Sequence, residues 1–416
     1  MVNKPVIAIL YRRDIPLDGE ITKFTRLARH YLTDVQLVIA DPSDFVEQEG
    51  RFFIEKGLEL NSSGALNEAT YNQRKPVHYL YKILKSFGTD LADPSLEARL
   101  PSVFARAKKE GPVSVGSLWK NVHRTASDLE IPVNISPGLQ RTCVLKGRTE
   151  IAIQKYERTY GGPLQHIHHT FVDSSSTLLQ VLEKNYNTGI NTIVKPSSGS
   201  QSKGLRVIRS NRGITFNDRK KQDDISELCR EIDRGFSYVT APYLIDPLLV
   251  DNRKFDLRLY VIPHLNSSGS ISVTYGGCVV RFASEPYDPK GIEDLRRSVS
   301  YVPQQGEIAE VKGKERVFEE TTIFNENLLV TLLTSAQKVT TALFNHSRDK
   351  IPCAAIFGLD YLVDNSGRPY FLEANSTPGL LCWERPVQEY VGRHLHQSFY
   401  PKMIAEAMTY QQKVRQ

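Results

Sequence analysis

The sequence predicts a mixed α/β (α+β) protein made of three successive lobes, and three observations support this class. In the first 130 residues, short apolar runs typical of buried strands alternate with helical patterns. Segments rich in proline or glycine, at 132–137 and 161–163, separate the patterned stretches. From about Tyr238 onward, long strand patterns dominate the chain. The predicted lobes comprise residues 1–135, 136–235 and 236–416.

Each lobe has its own order of predicted elements. In the first lobe these are strands at 6–11 and 35–40 and helices at 20–32 and 77–87. In the second they are a helix at 148–157, a strand at 167–172, a helix at 174–185, a strand at 192–194 and a polar loop at 217–224. In the third they are strands at 253–261 and 271–283, a hairpin at 354–375 and helices at 327–344 and 387–410.

The composition is that of an ordinary globular protein. The 416 residues are 40% hydrophobic and 24% charged, and the formal net charge of +6 allows an acidic partner without requiring one. No run of 18 apolar residues is present, and the N-terminal segment is charged too early for a signal peptide. The five scattered cysteines lack CxxC spacing, which favours a reducing compartment. We therefore expect a cytoplasmic protein without a membrane or nucleic-acid partner.

A loop rich in small residues follows the predicted strand at 192–194. Its sequence is Lys195-Pro-Ser-Ser-Gly-Ser-Gln-Ser-Lys-Gly204. Small residues let backbone N–H groups approach an anion closely, and Lys195 and Lys203 add positive charge. The GxxxxGK[ST] spacing of a P-loop is absent, and a strand is predicted to follow. Two interpretations stay open here, a phosphate-binding loop and a flexible β-hairpin tip.

A β-hairpin is predicted at 356–379, with its turn at Asn365-Ser-Gly-Arg368. Counting outward from this turn places Asp360 opposite Glu373, and Glu373 shares a strand face with Asn375 because side chains alternate. Carboxylate and amide oxygens of this kind suit Mg²⁺. The alternative is a polar outer face. Facing carboxylates repel each other and we expect no cationic side chain in register with them, so the metal site is favoured.

Three charged residues of mixed sign share one face of the predicted strand 253–261. Lys254, Asp256 and Arg258 are spaced two apart. The alternate positions are apolar: Phe255, Leu257 and Leu259. A half-solvated strand with cross-strand ion pairs is the simpler interpretation of this segment alone. Combined with the small-residue loop and the acidic hairpin, the same face predicts a nucleotide site.

Four motifs, in this order, resemble the tubulin tyrosine ligase-like branch of the ATP-grasp ligases. They are VKPSSGSQSKG, YLIDPLLVDNRKFDLRLYVI, RFASEPY and IFGLDYLVDNSGRPYFLEANSTPG, which lie within residues 190–290 and 350–380. The specific ones are NRKFDLRLYV and FGLD…FLEANSTPG, whereas the first 130 residues resemble the family only by position and texture. The resemblance implies an ATP-grasp fold of three sequential lobes, with ATP held between the central and the C-terminal lobe.

The resemblance also implies which residues contact ATP. Lys195 and the loop after it would hold the phosphates, a short hinge would lie against the adenine, and the strand that carries Lys254 would contact the nucleotide. The residues implied in these roles are Lys146, Lys195, Ser198, Gly199, Lys203, Gly204, Ala241, Tyr243, Leu244, Lys254 and Asp256.

For the reacting centre, the resemblance implies two arginines and three oxygen ligands. Arg258 and Arg281 would act as catalytic residues that face the reacting carboxylate and its phosphate. Asp360, Glu373 and Asn375 would bind Mg²⁺. Guanidinium groups grip carboxylate and phosphate oxygens in a planar, bidentate geometry, which explains why arginine suits this place better than lysine.

Two segments depart from the family pattern. In the hinge, Ala241 and Pro242 replace the usual Gln and Lys, so that an amide and a cation beside the purine are missing. Residues 296–301, Arg-Arg-Ser-Val-Ser-Tyr, stand where members often carry His-Leu-Thr-Asn. The first departure bears on nucleotide preference, and the second leaves the amino acid and its acceptor open.

The predicted function is that of an ATP-dependent carboxylate–amine ligase. Such an enzyme forms an amide bond through an acyl phosphate and would here add an amino acid to a peptide or protein acceptor. The alternatives are a phosphotransferase on the same fold and an ATP-binding module without catalysis. The segment Gln165-His-Ile-His-His169 is not predicted to bind metal, because no cysteine or acid accompanies its alternating histidines.

Overall fold

The computed structural model of the chain describes most of the residues from 133 onward and short stretches before them. The described residues are 6–10, 36–40, 45–48, 51–60, 66–77, 79–82, 133–197, 204–210, 219–244, 246–298, 315–347, 352–376, 378 and 385–413. Within them the strands form three sheets, and each sheet draws its strands from a different stretch of the chain.

The first sheet lies in the N-terminal part of the chain. Its six strands are β1 (Val6–Leu10), β2 (Gln36–Ala40), β3 (Phe45–Gln48), β4 (Arg51–Leu60), β5 (Leu66–Pro76) and β6 (Tyr79–Lys82). The strand order is β3-β4-β2-β1-β6, with β5 paired to β4. Strand β1 runs parallel to both of its neighbours, β2 and β6. The strands predicted at 6–11 and 35–40 are confirmed as β1 and β2.

The predicted helix at 77–87 is wrong in its first half. Residues Tyr79–Lys82 form β6, and Ile7 of β1 pairs with Tyr79. Aromatic residues fit a half-buried pleated surface, and pairing with a neighbouring strand decides such short segments more strongly than local spacing does. The helix predicted at 20–32 lies outside the described residues.

The second sheet has four antiparallel strands in the order β7-β10-β8-β9. They are β7 (Thr170–Val172), β8 (Thr192–Pro196), β9 (Arg206–Ile208) and β10 (Tyr238–Pro242). Helices α3 (Ser175–Thr188) and α4 (Arg219–Asp233) pack on this sheet through one apolar cluster. Ser174 caps α3 by accepting a hydrogen bond from Thr177 N at 3.2 Å, and Gly189 ends it in the left-handed region at φ 72°.

The polar loop predicted at 217–224 is wrong, because residues from Arg219 onward belong to α4. The buried apolar residues of this helix, Ile225, Leu228 and Ile232, follow helical spacing but begin only in its second turn. The first turn therefore carries charge without an apolar signal, and its sequence looks like that of a loop.

The third sheet carries the predicted catalytic strands. Its antiparallel order is β14-β13-β12-β16-β17, with β11 and β15 also paired to β12. The strands are β11 (Leu249–Val250), β12 (Arg253–Leu265), β13 (Ile271–Phe282), β14 (Glu315–Val317), β15 (Cys353–Ala354), β16 (Phe357–Val363) and β17 (Pro369–Asn375). The predicted hairpin at 354–375 is confirmed as the pair β16–β17.

Helices cover the third sheet. They are α1 (Pro137–Val144), α2 (Lys146–Tyr160), α5 (Leu295–Ser298), α6 (Glu326–Ser347) and α7 (Arg385–Lys413). Leu332 and Val339 of α6 join Ile153 of α2 and the apolar face of β12 in one buried cluster, which is the main core. Ser136 caps α1, accepting from Leu139 N, with Pro137 in its first turn. Of the helices described, none has the length and apolar content that a membrane crossing requires.

Replacing Leu332 by alanine should show how strongly this core depends on α6. Leu332 is fully buried in the main cluster, whereas Val330 on the same helix is 61% exposed. We expect Leu332→Ala to lower the free energy of unfolding by about 2–5 kcal/mol because it leaves a cavity. Val330→Ala, the matched control, should change it by about 0.5 kcal/mol or less. Urea unfolding followed by circular dichroism measures both, and equal effects would contradict the assigned core.

Candidate active site

Strand β12 presents a charged face to the cleft and an apolar face to the core. Phe255, Leu257 and Leu259 belong to the main core cluster. On the opposite face, Lys254 and Asp256 are nearly inaccessible to solvent, and the side chain of Arg258 is 15% exposed. The period of two that the sequence indicated is therefore present, and the charges lie at a buried surface rather than on a solvated one.

The carboxylate of Asp360 lies between two guanidinium groups. Arg258 Nε and Nη2 donate to its two oxygens at 2.6 and 2.7 Å, which is a bidentate pair. Arg281 Nη2 reaches Asp360 Oδ2 at 3.1 Å, while Arg281 Nε donates to Asp256 at 2.6 Å. The expectation that no cation stands in register with the acidic hairpin is wrong, because Arg258 pairs directly with Asp360 across β12 and β16. Local counting could not show it, since the two residues are 102 positions apart.

Gly358 leaves the space that Arg258 occupies. A Cβ atom at this position would lie 2.9 Å from Arg258 Cδ and 2.8 Å from Pro378 Cβ. Gly358 stands two residues before Asp360, on the same face of β16. The glycine of the FGLD motif thus permits the guanidinium to reach its carboxylate, a role that the sequence analysis missed.

A β-bulge in β17 turns Glu373 toward the cleft. Asp360 pairs with Glu373 and Tyr361 with Phe371, so Leu372 is the extra residue. Phe371 and Ala374 lie in the core, whereas Glu373 and Asn375 are only partly buried. Without the extra residue, Glu373 would share a face with Phe371 and point into the core. The bulge therefore places Glu373 on the same side of the sheet as Asp360 and Arg258. The predicted pairing of Asp360 with Glu373 is confirmed.

Two lysines from other elements approach Glu373. Lys146 Nζ at the start of α2 and Lys195 Nζ at the end of β8 each lie 3.9 Å from Glu373 Oε2. Burial opposes ionisation of Glu373, but these lysines and both arginines outweigh it and lower its pKa to about 2. Burial also lowers the pKa of Lys195 to about 8, against the attraction of Glu373.

Lys254 lies against residues 241–244, the segment that the family resemblance implies is the nucleotide hinge. Its ammonium is 4.1 Å from the centre of the Tyr243 ring, which is a cation–π geometry. Burial lowers the pKa of Lys254 to about 7, although Asp256 acts in the opposite direction. Ala241 and Tyr243 are buried and Leu244 is half-buried, and Tyr243 N donates to Asn191 O at 2.8 Å.

The small-residue loop lies only partly within the described residues. Ser198, Gly199 and Lys203 are outside them, so their assigned contacts stay predictions. Gly204 has φ 72°, and a Cβ there would meet Pro196 at 3.1 Å, so this position requires glycine. At the other end, Ser197 O accepts a hydrogen bond from Lys146 N at 3.1 Å, which ties the loop to the start of α2.

His169 lies beside Lys195, a place that its sequence position did not indicate. Its side chain is 7% exposed and its backbone N–H donates to Glu150 Oε2 at 3.0 Å. Burial and the neighbouring Lys195 lower its pKa to about 4, so the imidazole is neutral at pH 7. Within the described residues, its Nε2 atom is buried without a hydrogen-bond partner. Only the folded chain brings it beside Lys195.

The oxygen donors of the cleft fit a hard divalent cation to different degrees. Glu373 offers a carboxylate, and Asn375 offers its carbonyl oxygen, since Asn375 Nδ2 donates to Asp360 at 3.3 Å. Asp360 is already engaged by both arginines. Two donors are therefore well suited to Mg²⁺, and Asp360 could join them only by sharing its oxygens with Arg258 and Arg281.

The arrangement of the sheets and the cleft is that of an ATP-grasp fold. A solved structure, D-alanyl-alanine synthetase A from Vibrio cholerae, superposes with a TM-score of 0.54 at 12% sequence identity, covering 98% of this chain and 100% of that one. The model of the tubulin-tyrosine ligase family matches residues 116–302 and 307–408. This chain therefore belongs to the tubulin-tyrosine ligase family.

Individual relatives match part of the chain at low identity. Tubulin polyglutamylase TTLL5 of Mus musculus is 24% identical over 46% of this chain and 15% of its own length. Probable tubulin polyglutamylase TTLL9 of Rattus norvegicus is 25% identical over 56% of each protein. Protein polyglycylase TTLL10 of Macaca fascicularis is 24% identical over 45% of this chain and 34% of its own length. The matched region thus spans about half or less of these relatives.

Removing the charge of Asp360 should destabilise the fold. In Asp360→Asn, the nearly buried guanidinium of Arg258 loses its paired carboxylate, and Arg281 keeps only Asp256, so we expect the free energy of unfolding to fall by about 3–5 kcal/mol. Asp294→Asn is the matched control, because Asp294 also pairs with two arginines, Arg296 and Arg297, but at the surface. Its effect should be several-fold smaller. Urea unfolding in metal-free buffer measures both, and a stabilised Asp360→Asn would show that repulsion of Glu373 outweighs the arginine pairs.

Proposed function

We propose that this chain is an ATP-dependent ligase that joins an amino acid to a protein acceptor through an acyl phosphate. The observation that carries the proposal is the single cleft in which Arg258, Arg281, Lys146 and Lys195 surround Asp360 and Glu373. A carboxylate and an amine do not condense unaided at neutral pH, and activation by ATP gathers negative charge on oxygen. Fixed cations stabilise such charge without reorganising during the reaction.

The nucleotide would lie between the second and the third sheet. Lys195 ends β8 of the second sheet and Lys254 begins the charged face of β12 in the third, and both are buried. Lys146 and Lys195 would hold the phosphates, with the loop at 198–203 above them. Tyr243 and Leu244 would lie against the base, and Lys254 and Asp256 would also contact the nucleotide. Backbone groups of the hinge would still contact a purine, although Ala241 and Pro242 replace the usual Gln and Lys side chains.

Glu373 and Asn375 would hold Mg²⁺, with Asp360 as a third oxygen donor shared with the arginines. When bound, Mg²⁺ supplies charge neutralisation and a template for the phosphate oxygens. The cations nearest Glu373 keep it ionised far below neutral pH, because its pKa is about 2. A ligand that stays charged under all physiological conditions is what a metal–phosphate site needs.

In the first chemical step, a carboxylate oxygen of one substrate would attack the γ-phosphorus of ATP, and ADP would leave. The amine of the other substrate would then attack the acyl carbon, lose a proton to solvent and expel inorganic phosphate. Arg258 and Arg281 would bind the oxygens that become more negative in both steps. The carboxylate of Asp360 holds the two guanidiniums in place before substrate arrives, so the free protein already has its positive charges in position.

The substrates follow from the family rather than from the cleft. The relatives named above are described as tubulin polyglutamylases and a protein polyglycylase. We therefore take glutamate as the first amino acid to test, glycine as the second and tubulin as the acceptor. The net charge of +6 is compatible with an acidic protein acceptor.

Mass spectrometry of the acceptor tests this function directly. Purified protein incubated with Mg·ATP, tubulin and glutamate should add the mass of one or more glutamyl residues to tubulin. Release of inorganic phosphate should require both substrates. Phosphate transferred to a substrate and retained there would instead identify a phosphotransferase, and ATP binding without turnover would identify a binding module.

Glu373→Gln and Arg258→Ala should each lower the rate of amide formation by at least about 100-fold while the protein stays folded, since each removes a preorganised charge at the reacting phosphate. Glu227→Gln is the control, because Glu227 pairs with Arg206 at the surface. The rate is measured as tubulin mass increment per unit time, with circular dichroism to verify folding. Full activity in either site variant would make the assigned chemistry wrong.

ATP affinity should decrease as the pH rises above 7. In the protein without nucleotide, burial lowers the pKa of Lys254 to about 7, so its ammonium loses its proton as the pH rises above 7. Phosphate charge favours the protonated amine, so binding takes up a proton, and the dissociation constant should rise by up to about tenfold per pH unit. Lys254→Arg keeps its charge throughout and should give a shallower profile. Calorimetric titration with Mg·ATP between pH 6 and pH 9 measures both proteins, and identical profiles would remove Lys254 from the nucleotide site.

A further inference from the structure

A cluster of two histidines and one glutamate lies outside the proposed catalytic cleft. Glu150 is on α2, one turn after Lys146, and His166 and His168 lie on the segment between α2 and β7. One ligand atom from each of the three residues lies within 4.8 Å of the others. The acid that the sequence analysis did not find beside these histidines comes from a helix 16 residues away.

Two of the three ligand-atom distances in the cluster match those between the ligands of one tetrahedral ion. His166 Nε2 and His168 Nδ1 each lie 3.3 Å from Glu150 Oε1. With metal–ligand bonds of about 2.0–2.1 Å, tetrahedral geometry separates two ligand atoms by about 3.3–3.4 Å. A direct charge-assisted hydrogen bond is shorter, about 2.7–2.9 Å. The spacing therefore suits a cation between these atoms better than a direct contact.

The surroundings of His166 set which of its nitrogens carries a hydrogen. Nδ1 lies 2.8 Å from the carbonyl oxygen of Leu164 and 3.8 Å from Glu157 Oε1, and both of these groups are acceptors. Nδ1 therefore carries the hydrogen, and in the neutral imidazole Nε2 presents its lone pair to the Glu150 carboxylate. Two acceptors that face each other need either a proton or a metal ion between them. A histidine that donates its other N–H to a backbone carbonyl is the usual arrangement of a metal ligand.

Glu150 is also held in place for this role. It is 5% exposed, and its Oε2 accepts the backbone N–H of His169 at 3.0 Å, which leaves Oε1 directed at the two imidazoles. Gln154 Nε2 donates to Oε1 at 2.9 Å and supports it from the next turn of α2. His168 is 68% exposed, so the cluster is open to solvent on one side. An ion could enter there and complete its coordination with water.

We propose that Glu150, His166 and His168 form a binding site for one divalent transition-metal ion of the Zn²⁺ class, with a fourth position open to water. Two imidazoles and one carboxylate are the ligand set that Zn²⁺ accepts in such three-residue sites. The bound ion links α2, which begins at Lys146, to the histidine segment. That segment pairs with β17 through Ile167 N to Phe371 O at 2.9 Å, two residues before Glu373. The ion thus fastens together two elements that carry cleft residues.

Calorimetric titration of the full chain with ZnCl₂, after removal of metal by chelation and with excess Mg²⁺ present, tests the site. We expect one equivalent of Zn²⁺ to bind and to raise the melting temperature. Replacing Zn²⁺ by Co²⁺ should give the strong visible absorption of a tetrahedral cobalt centre. His168→Ala removes an exposed ligand without a buried cavity and should weaken binding by at least about 100-fold, more than the loss of a supporting group. Gln165→Ala, exposed in the same segment, is the matched control and should bind like the parent.

Two results would overturn the proposal. One is a parent protein that binds no Zn²⁺, in which case His166 is an imidazolium paired with Glu150. The other is equal Zn²⁺ affinity in the parent and in His168→Ala, which would place the ion elsewhere. Both readouts are independent of ATP and of tubulin, so the metal site is tested separately from the ligase reaction.

Discussion

The architecture of the cleft depends on one carboxylate, that of Asp360. It holds Arg258 with two short hydrogen bonds and reaches Arg281, which in turn holds Asp256. These contacts link the cleft faces of β12, β13 and β16 through charge, in a region where solvent is largely excluded. Two guanidiniums at such close quarters would repel each other strongly if no anion lay between them. Because this carboxylate lies between them, the free protein can keep two guanidiniums close together, as the binding of a phosphate group requires.

The remaining charge comes from elements that are not part of this sheet. Lys195 belongs to the second sheet and Lys146 to α2, yet both ammonium groups lie 3.9 Å from Glu373. Backbone hydrogen bonds fix their positions: Ser197 accepts from Lys146 and donates to Ser237 at 2.9 Å. The bulge at Leu372 completes the arrangement, because it turns Glu373 from the core to the lysines. The cleft thus has an excess of positive charge that suits an anionic substrate. Its basic side chains are Lys146, Lys195, Lys254, Arg258 and Arg281, and its carboxylates are Asp256, Asp360 and Glu373.

Much of the fold could be predicted because its signals are local. The alternation along β12, the turn at Asn365–Arg368, the helical stripe of α6 and the break at Gly161 all follow from the spacing and chemistry of neighbouring residues. Two predictions of secondary structure were wrong for the same physical reason. Residues 79–82 became a strand by pairing with β1, and the charged first turn of α4 is helical because its later turns pack on the second sheet. In both cases tertiary contacts outweighed a weak local preference.

By itself, the sequence determined which residues share a face: Lys254 with Asp256 and Arg258, and Glu373 with Asn375. It also determined the family, through motifs whose order and spacing are specific. Only the tertiary structure decided which charges neutralise which. Arg258 meets Asp360 across 102 positions, Glu150 meets His166 and His168 from another element, and His169 comes to lie beside Lys195. Electrostatic interactions act through space over a few ångströms. The positions of two residues along the chain therefore do not show whether their charges interact, because only the pairing of strands and the packing of helices bring them together.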